Sequence, residues 1–411
     1  MNRRNFLKTL GATFLGLAGC KLWPDEGIWN PCLLPLSMPE KLLDHDLVQA
    51  AWDGVEPEKT WDCHVHLIGV GHGETGIWIN PDMFSFLHPT QFAQRKFFLN
   101  ASCADVKDKV DQVYLKRLMK LQDAFPKGFR LMLLSFDYHY SESGQSLASS
   151  SSFYTPDKYG ENLARQFPDR FEWIASIHPY RKDCVEALEK AAQNGARAVK
   201  WLPPAMGINP ASPLCDQYYE ALVRLNIPLL THGGKERAVH GSNAQEFGNP
   251  LLLRRALDHG ARTIVAHCAS MGTSVDIDKG ENGPQVDNFT LFARLMNEQR
   301  YEKLLFGDIS AMTQANRVGA PLDAVISRTE WHSRLLNGSD YPLPGVMPLF
   351  SMKLLVEKNY ITSKEAAIVS DIRKYNPLLF DFVLKRNLKV GKKRISTQVF
   401  ETRSVFDKTE T

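Results

Sequence analysis

The strongest constraint on the fold of this chain is a regular alternation of short apolar runs with helix-like segments. The runs recur between residues 60 and 340, and glycine closes several of the helical segments between them. Strands that alternate with helices form parallel sheets, so eight such units predict a single (β/α)8 barrel of the TIM type. A doubly wound open sheet is the alternative, but no glycine-rich phosphate-binding loop follows the first run. The eight runs lie at residues 60–66, 129–135, 171–177, 196–201, 227–232, 263–267, 303–308 and 334–340.

Residues of metal-ligating type stand at the ends of five of these runs. In such a barrel the carboxyl ends of the strands carry the chemistry. The two histidines of the first run point to the same side, because side chains alternate along a strand. A single histidine at a strand end is commonly a hydrogen-bonded structural residue, but that interpretation requires repeated coincidence here. The first, fourth, fifth, sixth and eighth runs carry, in order, His64 and His66, Lys200, His232, His267 and Asp340.

The order and local contexts of these residues resemble those of the amidohydrolase superfamily. The likeness is to its amidohydrolase-related branch, which includes aminocarboxymuconate-semialdehyde decarboxylase, resorcylate-type decarboxylases and dicarboxylate lactonases. It extends over roughly residues 60 to 385 and implies a (β/α)8 barrel. The matching segments are Asp62-Cys63-His64-Val65-His66, 195–200, Thr231-His232-Gly233, 264–268 and 337–342, with a closing segment at 376–380.

The resemblance implies one divalent metal ion held by His64, His66, His232 and Asp340. Neutral imidazoles and a carboxylate suit Zn²⁺, which is therefore the expected ion. Bound Zn²⁺ lowers the pKa of its water to about 7, and Asp340 is expected to accept the proton as a general base. His267 is then the candidate to hydrogen-bond this water or to polarise the substrate carbonyl.

Lys200 has three interpretations. In dinuclear relatives the fourth-strand lysine is carboxylated and bridges two metal ions. In this chain Trp201-Leu202-Pro203-Pro204 follows the lysine, whereas many relatives in the branch have a histidine before the proline. A lysine that pairs with a buried carboxylate, or one that binds an anionic substrate group, fits as well as a carboxylated one. We expect a mononuclear site.

Three further residues are candidates for contact with substrate. Asp308 ends the seventh run, where it would orient a ligand or touch substrate, and a structural carboxylate is the equal alternative. Arg237 follows the fifth run and is a candidate for binding an acidic group. His72 lies in the segment 67–103, which is longer than most connections and is expected to form a functional lid or binding loop.

The predicted function is hydrolysis, in which metal-activated water attacks the carbonyl of an ester, lactone or amide in a small-molecule substrate. Non-oxidative decarboxylation of an aromatic or unsaturated acid would use the same ligands and is the first alternative. A lipoprotein that binds a ligand without turning it over is the second. The net charge of +3 over 411 residues does not indicate a nucleic-acid surface.

The first twenty residues carry two export motifs in the correct order. Arg3-Arg4-Asn5-Phe6-Leu7-Lys8 resembles a twin-arginine signal, and the apolar run that follows is too short to span a bilayer. Leu17-Ala18-Gly19-Cys20 resembles a bacterial lipoprotein cleavage site. These motifs predict export by the twin-arginine route, acylation of Cys20, and a lipid-anchored protein on the periplasmic side of a bacterial membrane.

The remaining segments complete the predicted organisation. Residues 1–20 form the signal peptide, 21–59 a tether and strap, 60–387 the catalytic barrel, and 388–411 a basic, weakly structured tail or surface strap. Beyond Cys20 the six other cysteines have no regular spacing, and a chain exported folded is expected to rely little on disulfides. Cys63, Cys184 and Cys268 lie within predicted elements and are expected to be buried free thiols.

Overall fold

The parallel strands of the structure fall within the eight apolar runs. The structure is a computed structural model, and it describes residues 24–239, 241 and 244–407. In this part of the chain the eight parallel strands are β1 (Trp61–His66), β2 (Arg130–Leu134), β3 (Phe171–Ile174), β4 (Val199–Trp201), β5 (Leu229–His232), β6 (Thr263–Ala266), β7 (Leu305–Asp308) and β8 (Leu335–Leu336).

These strands follow one another around a ring in chain order. One sheet has the order β1-β2-β3, and the other has the order β8-β7-β6-β5-β4. An isolated parallel bridge between Ala175 and Val199 joins β3 to β4, and a second bridge between Val65 and Tyr341 joins β1 to the segment after β8. His66 N also donates to Tyr341 O across this second seam, at 3.0 Å. The predicted (β/α)8 fold is therefore confirmed, with backbone pairing at both seams.

Helices follow the strands and cover their outer faces. The longer ones are α1 (Pro89–Ala101), α2 (Val110–Gln122), α3 (Asp157–Gln166), α4 (Cys184–Gln193), α5 (Asp216–Arg224), α6 (Asn288–Met296), α7 (Ala320–Ser327), α8 (Ser363–Tyr375) and α9 (Pro377–Asn387). Shorter helices lie at Glu40–Leu43, Asp46–Gln49, Pro203–Met206, Arg254–Asp258, Met352–Glu357 and Arg403–Phe406. Short antiparallel pairs join Trp78–Ile79 to Phe153–Tyr154, Thr273–Val275 to Gln285–Asp287, and Lys389–Val390 to Lys393–Arg394.

Alternation along the strands separates an inner core from an outer one. Leu131 and Leu133 of β2 pack with Leu118 of α2, in the layer between sheet and helices. Met132 and Leu134 point the other way and pack with strand residues from around the ring. The interior of the barrel is therefore filled by side chains, which leaves the chemistry to the ends of the strands.

The segment expected to be a weakly structured tail is folded as far as residue 407. Thr402 Oγ1 accepts a hydrogen bond from Trp61 N at the start of β1, at 3.2 Å. Phe406 is 1% exposed and packs with Trp61 and Met132 in the interior cluster. The apolar side chains of this C-terminal segment cover the amino end of the barrel, which the strands alone would leave open to water.

The N-terminal strap is held to the barrel by a disulfide. Cys32 and Cys103 are bonded, with their Cα atoms 5.5 Å apart. The expectation of little reliance on disulfides is wrong for this pair, because the strap runs beside the end of α1 and brings together cysteines 71 positions apart. Cys63, Cys184 and Cys268 are free and buried, as predicted, and so is Cys215.

The export motifs lie outside the described residues, since residues 1–23 are not described. Among the residues that are described, none of the helices combines the length and the apolar character that crossing a bilayer would require.

Candidate metal centre

The carboxylate of Asp340 lies at the centre of the candidate site. Its oxygens are 3.1 Å from His66 Nε2, 3.5 Å from His64 Nε2 and 3.8 Å from His267 Nε2. These residues come from the carboxyl ends of β1, β6 and β8, which the ring of strands places side by side. His64, His66 and Asp340 offer ligand atoms that all lie within 4.8 Å of one another.

His232 completes the group from the end of β5. Its ring meets the His267 ring edge to face, with centroids 5.4 Å apart. Its Nε2 is buried and has no hydrogen-bond partner among the described residues. A buried polar atom without a partner is costly. A ring nitrogen left in this state beside three other candidate ligands fits coordination of a divalent metal ion.

Burial favours the neutral form of three histidines at the candidate site, His64, His232 and His267. The pKa of His64 and that of His232 are lowered well below the ordinary value, first by burial and then by the charge of Lys200. The pKa of His267 is lowered by burial and then by the charge of Arg317. Metal binding requires the unprotonated imidazole, so protons compete weakly with a metal at these positions.

A buried hydrogen-bond network orients the rings of His64 and His267 through their Nδ1 atoms. His64 Nδ1 donates to Asp308 Oδ2 at 2.6 Å, and Ser310 Oγ donates to the same oxygen at 2.7 Å. His267 Nδ1 donates to the backbone oxygen of Ser310 at 3.0 Å. Both rings therefore turn Nε2 towards Asp340, as outer hydrogen bonds do for metal-ligating histidines. Of the roles expected for Asp308, this geometry matches the orientation of a ligand.

Asp340 is held ionised and in an unusual backbone conformation. Burial raises its pKa, but His64, His66 and Lys200 together outweigh burial and hold this pKa below its ordinary value. Its φ of 59° lies in the left-handed region, which non-glycine residues seldom adopt. Asp340 N donates to His64 O at 2.8 Å, so the strained residue is fixed directly to β1.

The turn after β6 is strained in the same way. His267, Cys268 and Ala269 have φ values of 55°, 47° and 49°, three consecutive residues in the left-handed region. Such conformations cost free energy and persist where surrounding contacts enforce them, commonly at functional sites. Here the turn directs the His267 ring towards Asp340.

Lys200 joins the site from β4. Its Nζ is 3.3 Å from His64 Nε2, and burial lowers its pKa. Among the described residues it forms no ion pair with a carboxylate, although Asp308 and Asp340 act on it electrostatically. Its side chain lines the same cleft as the histidines. Of the three interpretations, the structure therefore fits pairing with a carboxylate least well.

Two charged residues at the site were not found from the sequence. Glu236 is buried, lines the cleft and lies 3.4 Å from His232 Nδ1 through Oε2, and burial raises its pKa. Arg317 is also buried, donates to Ser270 Oγ at 2.7 Å, and burial lowers its pKa to about 10. Glu236 lies four positions after His232, the last residue of β5, so a search of the residues that follow strand ends could have found it. Arg317 lies in an irregular segment without such a signal.

The ligands form the floor of a deep cleft with apolar walls. The cleft encloses about 900 Å³ of empty space, part of it open to solvent. Arg95 of α1 is the one arginine that lines it in the described chain. The apolar lining consists of Leu67, Ile68, Val70, Ile77, Ile79, Met83, Phe98, Leu99, Phe153, Leu202, Ala238, Val239, Pro342 and Leu343.

Two candidate substrate residues lie outside this cleft. Arg237 is exposed and does not line it. His72 accepts a hydrogen bond from Val110 N at 3.3 Å, where α2 begins, and also lies away from the lining. The long loop itself does reach the cleft through Ile77, Ile79 and Met83. The ends of the strands therefore predicted the residues on the floor of the candidate site. Nearness in sequence did not predict the residues that line its walls.

Known proteins were compared with this chain. The amidohydrolase family model matches residues 61–378, and no curated protein shows significant similarity. An uncharacterized TIM-barrel protein from Bordetella bronchiseptica is 15% identical, covering 71% of this chain and 89% of that chain, with a TM-score of 0.45. The 4-oxalomesaconate hydratase from Rhodopseudomonas palustris is 16% identical, covering 75% and 92%, with a TM-score of 0.40. The 5-carboxyvanillate decarboxylase from Novosphingobium aromaticivorans, solved with bound manganese, is 12% identical, covering 78% and 96%, with a TM-score of 0.43.

Replacing His66 is expected to remove the metal without unfolding the protein. The His66→Ala variant loses a ligand whose side chain is 24% exposed, so the barrel core is untouched. We expect metal affinity to fall by more than the roughly 10- to 100-fold typical of losing an outer partner. The measurement is metal content after dialysis, with His72→Ala as the matched control. Equal metal content in the two variants would contradict this assignment of His66.

Proposed function

Because the chain belongs to the amidohydrolase family, we propose that it is a metal-dependent hydrolase that attacks the carbonyl of an ester, lactone or amide. The family makes the protein an enzyme of a superfamily that includes both hydrolases and decarboxylases. The observation that carries the proposal is the position of Asp340. An ionised carboxylate with one oxygen 3.1 Å from His66 and the other 3.8 Å from His267 suits both metal binding and proton transfer.

The residues present fit a divalent ion, with His64, His66, His232 and Asp340 as the proposed ligands. A bound divalent ion would polarise a carbonyl oxygen and lower the pKa of water. We expect zinc because nitrogen and carboxylate donors at a site of this kind suit it. The expectation of a single ion rests on the same four ligands, and metal analysis of purified protein is the measurement that checks it.

Asp340, His267 and Lys200 have different proposed roles in the reaction. Asp340 accepts a proton from the attacking water through the oxygen nearer His267. Since His267 Nδ1 donates to Ser310 O, its Nε2 carries a lone pair and accepts a hydrogen bond from that water. Of the two roles expected for His267, this tautomer supports orienting water over polarising a carbonyl. Lys200, when protonated, stabilises the negative charge that develops on the carbonyl oxygen.

Decarboxylation of an aromatic acid remains the alternative for the same site. The observation that favours it is the combination of apolar walls, including Phe98 and Phe153, with Lys200 beside the ligands. Such walls suit an aromatic ring, and the lysine suits its carboxylate. Both reactions would use the same ligand set, so the products distinguish them.

Replacing Asp340 by asparagine is expected to abolish turnover more than it disturbs the fold. Loss of the base should lower kcat by about 10²- to 10⁴-fold in an active preparation.

The reaction type is tested with the unmodified protein on a panel of lactones, esters, amides and aromatic acids in ¹⁸O-labelled water. Incorporation of ¹⁸O at a carbonyl supports hydrolysis. Release of CO₂ with no ¹⁸O in the organic product would contradict the proposed hydrolysis and support decarboxylation.

We further propose that the substrate is acidic and that Arg95 binds its anionic group. The guanidinium of Arg95 lies 4.4 Å above the Phe84 ring, and its Nε donates to Met83 O at 2.9 Å. In the described chain no carboxylate forms an ion pair with it, which leaves its terminal nitrogens for a ligand. Arg95 takes the role expected of Arg237, because Arg237 lies outside the cleft.

Replacing Arg95 tests this preference. Hydrogen bonds to charged groups contribute about 1.5–3 kcal/mol, so Arg95→Ala should lower kcat/KM for an acidic substrate by about 10- to 100-fold. The kcat/KM of Arg95→Ala for a neutral ester of the same substrate should change little. The matched control is Arg237→Ala, an exposed arginine. An equal loss for acid and ester in Arg95→Ala would contradict the assignment.

We also propose that the protein is exported and anchored through acylated Cys20. The motifs around Arg3-Arg4 and Cys20 support this, as does the Cys32–Cys103 bond, because such bonds persist in oxidising compartments. Cys20→Ser should abolish incorporation of a fatty-acid probe and lower the amount of protein that stays in the membrane fraction. Lys-Lys in place of Arg3-Arg4 should retain the protein in the cytoplasm. Probe incorporation that persists in Cys20→Ser would contradict the anchor.

A further inference from the structure

The exposed apolar side chains of this protein are concentrated in two segments. Ten large hydrophobic residues in the described chain are exposed, and seven of them belong to the strap or to the region around α1. Leu87, at 89%, and Phe86, at 75%, are among the most exposed. We call these seven residues the apolar face: Trp29, Leu34, Leu36, Phe84, Phe86, Leu87 and Val106.

The two segments are held together by contacts at the carboxyl end of α1. The Cys32–Cys103 disulfide ties the strap to the region just after α1, and Asn30 N donates to Asn100 Oδ1 at 2.8 Å. Helix α1 supports aromatic rings from both segments. Trp29 stacks on Phe97 of this helix at 4.8 Å between centroids, towards its carboxyl end.

The other end of α1 supports the other half of the apolar face. The Phe86 ring lies 4.4 Å from the ring of Phe92, in the first turn of the helix. Phe84 is held by the guanidinium of Arg95. The exposed rings are therefore fixed in position, and an apolar surface maintained at this cost in water marks an interaction site.

The position of the strap indicates what covers this face. The described chain begins at Pro24, four residues after Cys20, and four residues span at most about 14 Å. An acylated Cys20 would hold the strap, and with it Trp29, close to the lipid headgroups. We propose that the apolar face rests on the lipid bilayer, an inference that builds on the proposed anchoring through Cys20.

The composition of the face agrees with a bilayer surface. Tryptophan and phenylalanine are favoured in the interfacial layer, where an apolar ring is buried among the headgroups. The exposed charges around Val106 are of both signs, namely Lys107 and Lys109 beside Asp105 and Asp108. Apolar burial, and not attraction to anionic lipid, therefore supplies the binding.

This orientation brings the wall of the cleft formed by Met83 and Arg95 close to the membrane. Met83 and Arg95 line the cleft, and Phe84, which follows Met83 and contacts Arg95, belongs to the apolar face. The cleft walls are apolar in continuity with this surface. An amphiphilic substrate dissolved in the bilayer can therefore pass from lipid to the metal centre along apolar side chains.

The first test locates the face in the processed protein acylated on Cys20, reconstituted in phosphatidylcholine vesicles. A nitroxide is attached at Leu87→Cys, or at Val223→Cys as the matched control, since Val223 is 45% exposed on α5. The described native cysteines are disulfide-bonded or buried. We expect oxygen, which concentrates in lipid, to relax the label at 87, and a water-soluble nickel chelate to relax the label at 223. Equal access of the chelate to both labels would overturn the proposal.

The second test separates docking from anchoring. In the full-length Cys20→Ser chain, Phe86→Ser with Leu87→Ser should weaken sedimentation with phosphatidylcholine vesicles by about tenfold or more. Leu214→Ser with Val223→Ser, two exposed residues elsewhere, should leave it unchanged. Equal binding of the two double variants would overturn docking. Absence of a fatty acid on Cys20 in the protein without the Cys20→Ser substitution, with the 86/87 effect intact, would refute the anchor and leave docking standing.

Discussion

The site depends on one buried carboxylate at the seam where the barrel closes. Asp62 Oδ1 accepts hydrogen bonds from His64 N at 3.1 Å and from Ser339 N at 2.8 Å, so it joins β1 to the segment that carries Asp340. Burial raises the pKa of Asp62 to about 6. Lys385 supports the same segment by donating to Gly338 O at 2.6 Å. Because these contacts fix two ligand-bearing elements, the spacing of the candidate ligands follows from closure of the ring.

Sequence patterns predicted the fold and the floor of the site for a simple geometric reason. Strand and helix periodicities are local, so each apolar run was visible within a few residues. In a parallel barrel all carboxyl ends meet on one face, which brings His232 of β5 and His267 after β6 together without any long-range information. Asp340 followed by the same rule, although β8 itself is short, at Leu335–Leu336. Arg237 and His72, which were chosen by nearness in sequence alone, do not line the cleft.

The features that were missed depend on contacts between distant segments. Cys32 and Cys103 have no spacing signature, and their bond exists because the strap returns beside α1. Arg95 reaches the cleft because α1, which also supplies Phe98 and Leu99, forms part of its wall. Arg317, in an irregular loop after β7, acts on His267 through its charge. The last segment looked weakly structured because its apolar residues are few, yet Phe406 fills the amino end of the barrel.

The distribution of sulfur atoms has a consequence for which cysteines can be oxidised in the folded molecule. Cys63 and Cys268 lie next to His64 and His267 of the candidate metal centre, fully buried, and burial raises the pKa of each thiol far above its usual range. Cys32 and Cys103 are half-buried at the edge of the molecule. An oxidant that reaches the folded, described part of the chain therefore meets a single reactive pair. Within the described residues, folding thus leaves this pair as the two cysteines that can be joined without exposing the interior.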